Sequence, residues 1–223
     1  MPDVRNECVR CGTCCLKGGP ALHSEDRPLV LQNRIRLEQL VTIRQGEPAL
    51  SAQGDKLEYL PTEMIKLKGQ ANEWACLFFD KQDSSCLIYQ HRPLECCLLK
   101  CWDTGDLERI IGKNLMCRAD IIPANSPVLE YIANHEKGCP LAGLGSLLSS
   151  LPVASSLDEV MSELTDLVNK DIAIRAHALS SPDFPSPIEL FVFGRPLFKI
   201  LCNFGIRVQE LGNTLVLQFT PEK

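Results

Sequence analysis

The stretch "CVRCGTCC" places four thiols, Cys8, Cys11, Cys14 and Cys15, within eight residues. Two-residue spacing lets a tight turn bring neighbouring sulfurs onto one centre. Gly12 inside the run permits a positive φ and a close backbone approach to a bulky metal or sulfide. Thiolate is a soft donor that suits zinc, copper(I) or iron–sulfur clusters. A C-x2-C-x2-C run occurs in ferredoxin-type cluster loops, whereas zinc sites usually pair C-x2-C units across a longer loop. The triple run therefore favours iron–sulfur, with zinc as the alternative. Adjacent side chains tend to point apart, so the doublet Cys14-Cys15 predicts two centres or one idle thiol.

A second group follows about sixty residues later. Cys76, Cys86, Cys96, Cys97 and Cys101 are spaced C-x9-C-x9-C-C-x3-C, and Cys117, Cys139 and Cys202 trail behind. A site that uses both groups has to be closed by the fold. Eight thiolates match one cubane cluster with thiols to spare, two clusters, or two all-cysteine zinc ions.

The elements that would position them are short. "EDRPLVLQ" predicts a helix with Asp26 near its start and Pro28 in the first turn. "IRLEQLVTIRQGEP" predicts another, stopped by Gly46 and Pro48. "GDKLEYLPTEMIKLKG" reads as irregular, then extended. "EWACLFFD" and "SSCLIY" predict two short strands around the turn "KQDS". "PLECCLLKCW" predicts a helix with Pro93 at its first position and Cys97 and Cys101 on one face. "DTGDLERIIGKNL" also reads as helical. "SPVLEYIANHEKG" predicts a helix capped by Ser126 and ended by Gly138. "LAGLGSLLSSLPVASS" suits a flexible boundary. Beyond it come an amphipathic helix over 156–179, with Ser156 and Glu159 as capping box, and an apolar run over 188–202. A hairpin is expected around Gly212-Asn213. The expected fold class is α+β. It is a mostly helical, irregular, metal-stapled domain over 1–140, with an accessory segment over 141–223 packed on it.

Composition narrows the chemistry. The 223 residues carry a formal charge of −5, so no global basic footprint for nucleic acid exists. No uncharged apolar run is long enough for a membrane span, and the first residues lack the basic-then-apolar pattern of a signal peptide. The expected location is the cytoplasm, where twelve cysteines read as metal-binding or catalytic before they read as disulfides. There is no phosphate loop, no G-x-S-x-G elbow and no H-E-x-x-H. The C-x3-C-x2-C spacing of radical S-adenosylmethionine enzymes is absent as well.

The residues "CVRCGTCC", "CLFFD" and "CLIYQHRPLEC", with Cys101 beyond, resemble the bacterial YkgJ-like CxxCxxCC cysteine-cluster family, a zinc- or iron-chelating domain. The flanks "KGGPALH", "EMIKLKG" and "CWD" are similar too, and the resemblance covers roughly residues 8–140. It implies Cys8, Cys11, Cys14, Cys15, Cys76, Cys86, Cys96 and Cys101 as metal ligands. The family usually carries Arg where this chain has Cys97, which makes Cys97 a candidate spare ligand. A cluster domain of this type also occurs in a flagellin lysine methylase, which implies an accessory role in protein modification as one alternative. A zinc-stapled interaction module with a protein partner is another.

The remaining candidates are weaker. Arg92, between two expected ligands, could offset thiolate charge, and Cys117 could be an extra ligand. Tyr89 reads as a core tyrosine. His23, His91 and His135 could each bind metal, His91 leading by position. Cys139 and Cys202 read as small hydrophobes. Glu95 and Asp103 read as a solvated face, and no residue is assigned a catalytic role.

Overall fold

The computed structural model describes residues 8–50, 56–70, 73–151, 157–211 and 214–220. The fold is α+β and more helical than extended. Among the described residues its strands form four two-stranded sheets. The chain divides into two compact units, Met1–Thr42 with Met64–Pro123, and Ile43–Glu63 with Ala124–Lys223. The residues of 124–140 thus group with the C-terminal part.

In the first unit, helix α1 (Thr13–Leu16) carries the cysteine doublet. A 3-10 turn (Ser24–Asp26) leads into α2 (Arg27–Leu31), with Pro28 in its first turn as its fixed φ allows. Strand β1 (Leu40–Ile43) pairs with β4 (Met64–Leu67). Strand β1 stands where a second helix is expected. Only Leu37–Gln39 turn helically there, because Val41, Thr42 and Ile43 are β-branched and favour the pleated conformation. The core is tied by a ring of backbone hydrogen bonds. The Leu22 N–H donates to Ile65 O (2.8 Å), the Ile65 N–H to Met116 O (3.1 Å), and the Met116 N–H to Leu22 O (2.8 Å). All three side chains are fully buried.

Strands β5 (Phe79–Asp80) and β6 (Ser85–Cys86) form the expected small hairpin, with Phe79 opposite Cys86. Helix α3 (Leu94–Leu98) follows Pro93. It stops before Cys101, because Leu99 is extended (ψ 107°) and Lys100 bridges to Asp103. Cys97 and Cys101 therefore share no helix face. Helix α4 (Gly105–Glu108) completes the unit.

The second unit has its own core. Strands β2 (Pro48–Leu50) and β3 (Leu57–Tyr59) pair antiparallel. Helix α5 (Val128–Gly138) starts beside Ser126, whose Oγ accepts from the Val128 N–H (3.4 Å). The stretch expected to be flexible contains helix α6 (Leu144–Ser150), which buries Leu144 and Leu148. Helix α7 (Leu157–Ser180) buries Val160, Leu164 and Val168 at four-residue spacing. Helix α8 (Glu189–Phe193) leads to α9 (Leu197–Leu201), and the α7 residues pack with Leu197, Ile200 and Leu201 of α9 and with the hairpin of β7 (Ile206–Leu211) and β8 (Thr214–Phe219). The expected cap Ser156 and the turn Gly212-Asn213 lie outside the described residues. Among the described residues no helix is long and apolar enough to cross a membrane.

Candidate metal centre

All twelve cysteines are reduced thiols. One cavity of about 240 Å³ in the first unit is lined by Cys8, Cys11, Cys14, Cys15, Cys76, Cys86, Cys96 and Cys101. The fold thus brings both cysteine groups to one place. Three local devices do this. Gly12 adopts φ +75° against the Phe79 ring, and the chain turns there into α1. The Cys76 N–H donates to Cys15 O (2.7 Å), joining the two cysteine groups through the backbone. The hairpin register sets Cys86 beside Phe79.

The sulfurs of Cys14 and Cys15 lie 4.0 Å apart, so the doublet does not split its side chains between opposite directions. Both thiols face the cavity because a single tight turn of α1 holds them. The Arg10 N–H donates to the Cys8 sulfur (3.4 Å), and the Cys11 sulfur sits 3.3 Å from the Thr13 hydroxyl. Arg10 takes a positive φ of 54° between two cysteines, a conformation rare for a side chain of this size.

Burial pushes the Cys15 thiol up to about 12, and the charges of Cys14, Cys76 and Cys86 add to the shift. Cys96 is raised by burial too, with Cys76, Cys15, Cys86 and Cys14 bearing on it. Burial likewise raises Cys76. As bare buried thiols Cys15, Cys76 and Cys96 resist deprotonation, and a bound cation reverses that.

The walls divide by character. Phe78, Phe79, Leu67 and Leu99 are apolar, while Arg10, Lys17 and Arg92 bring positive charge. The Arg92 guanidinium lies 3.7 Å above the Tyr89 ring and that of Arg10 4.9 Å from it. Tyr89 is thus a platform for two cations at the cavity wall. The Arg92 Nε–H also donates to Tyr89 O (3.0 Å).

Other candidates fall elsewhere. Cys97 is exposed, points its thiol at Arg92 O (3.4 Å) and does not line the cavity. Cys117 does not line it either, and its N–H bonds Asp120. Buried His23 is held by Lys113 O (2.8 Å) and Glu95 (3.3 Å). Glu95, expected on a solvated face, lines the cavity and accepts from the Ala21 N–H (2.9 Å). Asp103 caps the turn to Gly105.

His135 belongs to the second unit. Its Nε2 sits 2.6 Å from Asp171 Oδ1, which also accepts from Arg175 Nε (2.9 Å), while Asp171 Oδ2 accepts from the Leu197 N–H (2.9 Å). Donor atoms of His135, Cys139 and Asp171 lie within 4.8 Å of one another. The charges of Arg44 and Arg175 reach His135, so a cation there would face two fixed positive groups. His135, Asp171 and Arg175 form a buried hydrogen-bonded network, and the Cys139 thiol beside it faces Leu167 O. Sequence reading missed Asp171 and Arg175, although both continue the four-residue stripe of α7 with charges where apolar residues are expected.

The donor set is chemically suited to a thiophilic metal: eight cysteines line one space, and the Arg10 N–H and the nearby cations can balance thiolate charge. A model of the CxxCxxCC family, described as "Putative zinc- or iron-chelating domain", matches residues 7–118. No curated protein and no solved structure matches the chain.

Proposed function

The chain belongs to the CxxCxxCC family of zinc- or iron-chelating domains, and on that premise we propose that Cys8, Cys11, Cys14, Cys15, Cys76, Cys86, Cys96 and Cys101 ligate an iron–sulfur centre that serves electron supply or sensing. One observation carries the reading: eight thiols line a single cavity of about 240 Å³. That space is roughly twenty times what admits one water molecule. A lone zinc ion takes four thiolates and fills far less. A polynuclear centre uses both the donors and the room.

When bound, such a centre supplies one-electron chemistry at a potential set by its charge, hydrogen bonds and solvent exposure. The chain's own residues set those conditions. Each thiol sheds its proton on ligation, which burial otherwise opposes at Cys15, Cys76 and Cys96. Phe78, Phe79, Leu67 and Leu99 keep water from the floor. Arg10, Lys17 and Arg92 offset thiolate charge from the wall. A reducing compartment, the cytoplasm on this reading, keeps the thiols available.

The test is purification without oxygen, followed by visible absorption and analysis of iron, sulfide and zinc. A brown protein with iron and acid-labile sulfide supports the proposal. A colourless protein with stoichiometric zinc overturns it in favour of a zinc-stapled module.

A further inference from the structure

Three cations, Arg10, Lys17 and Arg92, line the thiol cavity of a chain whose formal charge is −5. Two of them share one aromatic ring. The Arg92 guanidinium lies 3.7 Å from the centre of the Tyr89 ring and that of Arg10 4.9 Å from it. Like charges held this close repel one another until an anion joins them. None of the three has a carboxylate partner among the described residues. The one carboxylate in the described lining, Glu95, is engaged by the Ala21 N–H (2.9 Å) and by His23 (3.3 Å). The two guanidinium groups are also anchored beforehand. The Arg92 Nε–H donates to Tyr89 O (3.0 Å), and Arg10 leaves the backbone at a φ of 54°.

A cleft lined by one sign of charge concentrates ions of the other sign and repels its own. A bare metal ion is a cation. A metal centre already carried on small thiolates is an anion. We infer that Arg10, Lys17 and Arg92 receive the cavity's metal as an anionic complex on small-molecule thiolates, which the cysteines then displace. The inference rests on the cluster reading above and concerns how that one centre is filled. The cations converge on a cavity of about 240 Å³ instead of spreading over a face, which fits a small complex. Each exchange forms one metal–sulfur bond to a cysteine and breaks one to a small thiolate. The cysteine proton leaves on the departing thiol, and no electron changes hands. The charge of the centre is the same after exchange as before, so the cations that draw it in stay beside it.

The test uses the full chain, reduced and free of metal, without oxygen. The probes are iron–sulfur clusters preassembled on mercaptoacetate, whose carboxylates add negative charge, and on cysteamine, whose ammonium groups reverse it. The readout is growth of visible circular dichroism, which these achiral donors lack. Loading from the mercaptoacetate complex should be about tenfold faster or more at low salt. The ratio should shrink as salt rises from about 0.01 M to about 1 M and the screening length falls from about 30 Å to about 3 Å. Arg10→Gln with Lys17→Gln should lower the ratio, and Arg10→Lys, which keeps the charge, should retain it. A ratio that neither salt nor the double variant lowers overturns the inference. So does wild-type protein that builds its centre from ferrous iron and sulfide yet loads equally from both donors, a result that leaves the cluster reading standing. Protein that stays colourless with both donors and with ferrous iron and sulfide overturns the cluster reading itself.

Discussion

Gly12 and Phe79 are packed so closely that a Cβ on Gly12 would lie 2.9 Å from the ring's Cε2 and nearer still to Cζ. The glycine that spaces Cys11 from Cys14 is thus also the point where the cysteine loop rests on the β5–β6 hairpin. Gly12→Ala should cost about 1–3 kcal/mol from left-handed strain and overpacking together. It should also speed metal loss to a chelator. Adding Phe79→Leu should restore part of the stability, since it removes the collision and leaves the strain. Thermal unfolding and timed metal release check both.

Cys96 and Cys97 are neighbours with different surroundings. Cys96 lines the cavity, and Cys97 is exposed with its thiol on Arg92 O. Cys97→Ser should keep wild-type metal content, and Cys96→Ser should lose metal. Equal loss in both would show that Cys97 serves as a ligand.

Asp171 is nearly fully buried and accepts from His135, Arg175 and the Leu197 N–H. Asp171→Asn removes the charge that Arg175 is buried against. The expected loss is about 3–5 kcal/mol, the usual cost of breaking a buried pair from one side. Urea denaturation followed by far-ultraviolet circular dichroism measures it.

The same network predicts a pH dependence. Burial, with the charges of Arg44 and Arg175, holds His135 below its ordinary 6.5 despite the Asp171 hydrogen bond. The unfolded chain therefore binds a proton more readily than the folded one as pH falls through about 6.5, and stability drops with it. Burial alone would raise Asp171, but His135, Arg175 and the Leu197 N–H hold it below its usual 3.8. Its contribution is present above 3.8 and is lost only as pH falls through that lower folded value. Urea midpoints from pH 8 to pH 5 should decline, and His135→Gln should flatten the decline near 6.5.

Stripping the metal should act on one unit. Residues 64–123 with the cysteine loop should lose amide protection when a chelator is added, because thiolate ligation and folding are coupled. Helix α7 and the β7–β8 hairpin, which bury Leu164, Val168 and Leu217 in their own core, should stay protected. Hydrogen exchange with and without chelator compares the two.

The cysteine spacing was legible because thiolate chemistry is local and rare. Its eight matched positions are the eight that line the cavity. What surrounds them was less legible. Leu40–Ile43 fits helical periodicity while its β-branched run fits a strand, and pairing with residues 64–67 decides between the two. The break before Cys101 hid because Lys100 and Asp103 bridge across a turn that lacks glycine or proline. The burial of Asp171 and Arg175 is not legible in the helix pattern, since their partners sit at His135, Glu189 and Leu197. Polar burial of that kind is a property of the assembled unit and leaves only a faint mark on helix periodicity.

The interleaving of the two units bears on the order of synthesis. Every segment of the cysteine unit has been made once residue 123 is in place. The thiols can then find their metal while α5 to α9 are still to come. The β2–β3 ribbon, at 48–59, has by then been made but belongs with residues that follow. The nascent chain therefore passes through a stage in which a metal can close one unit while an unpartnered ribbon in its middle waits for the other.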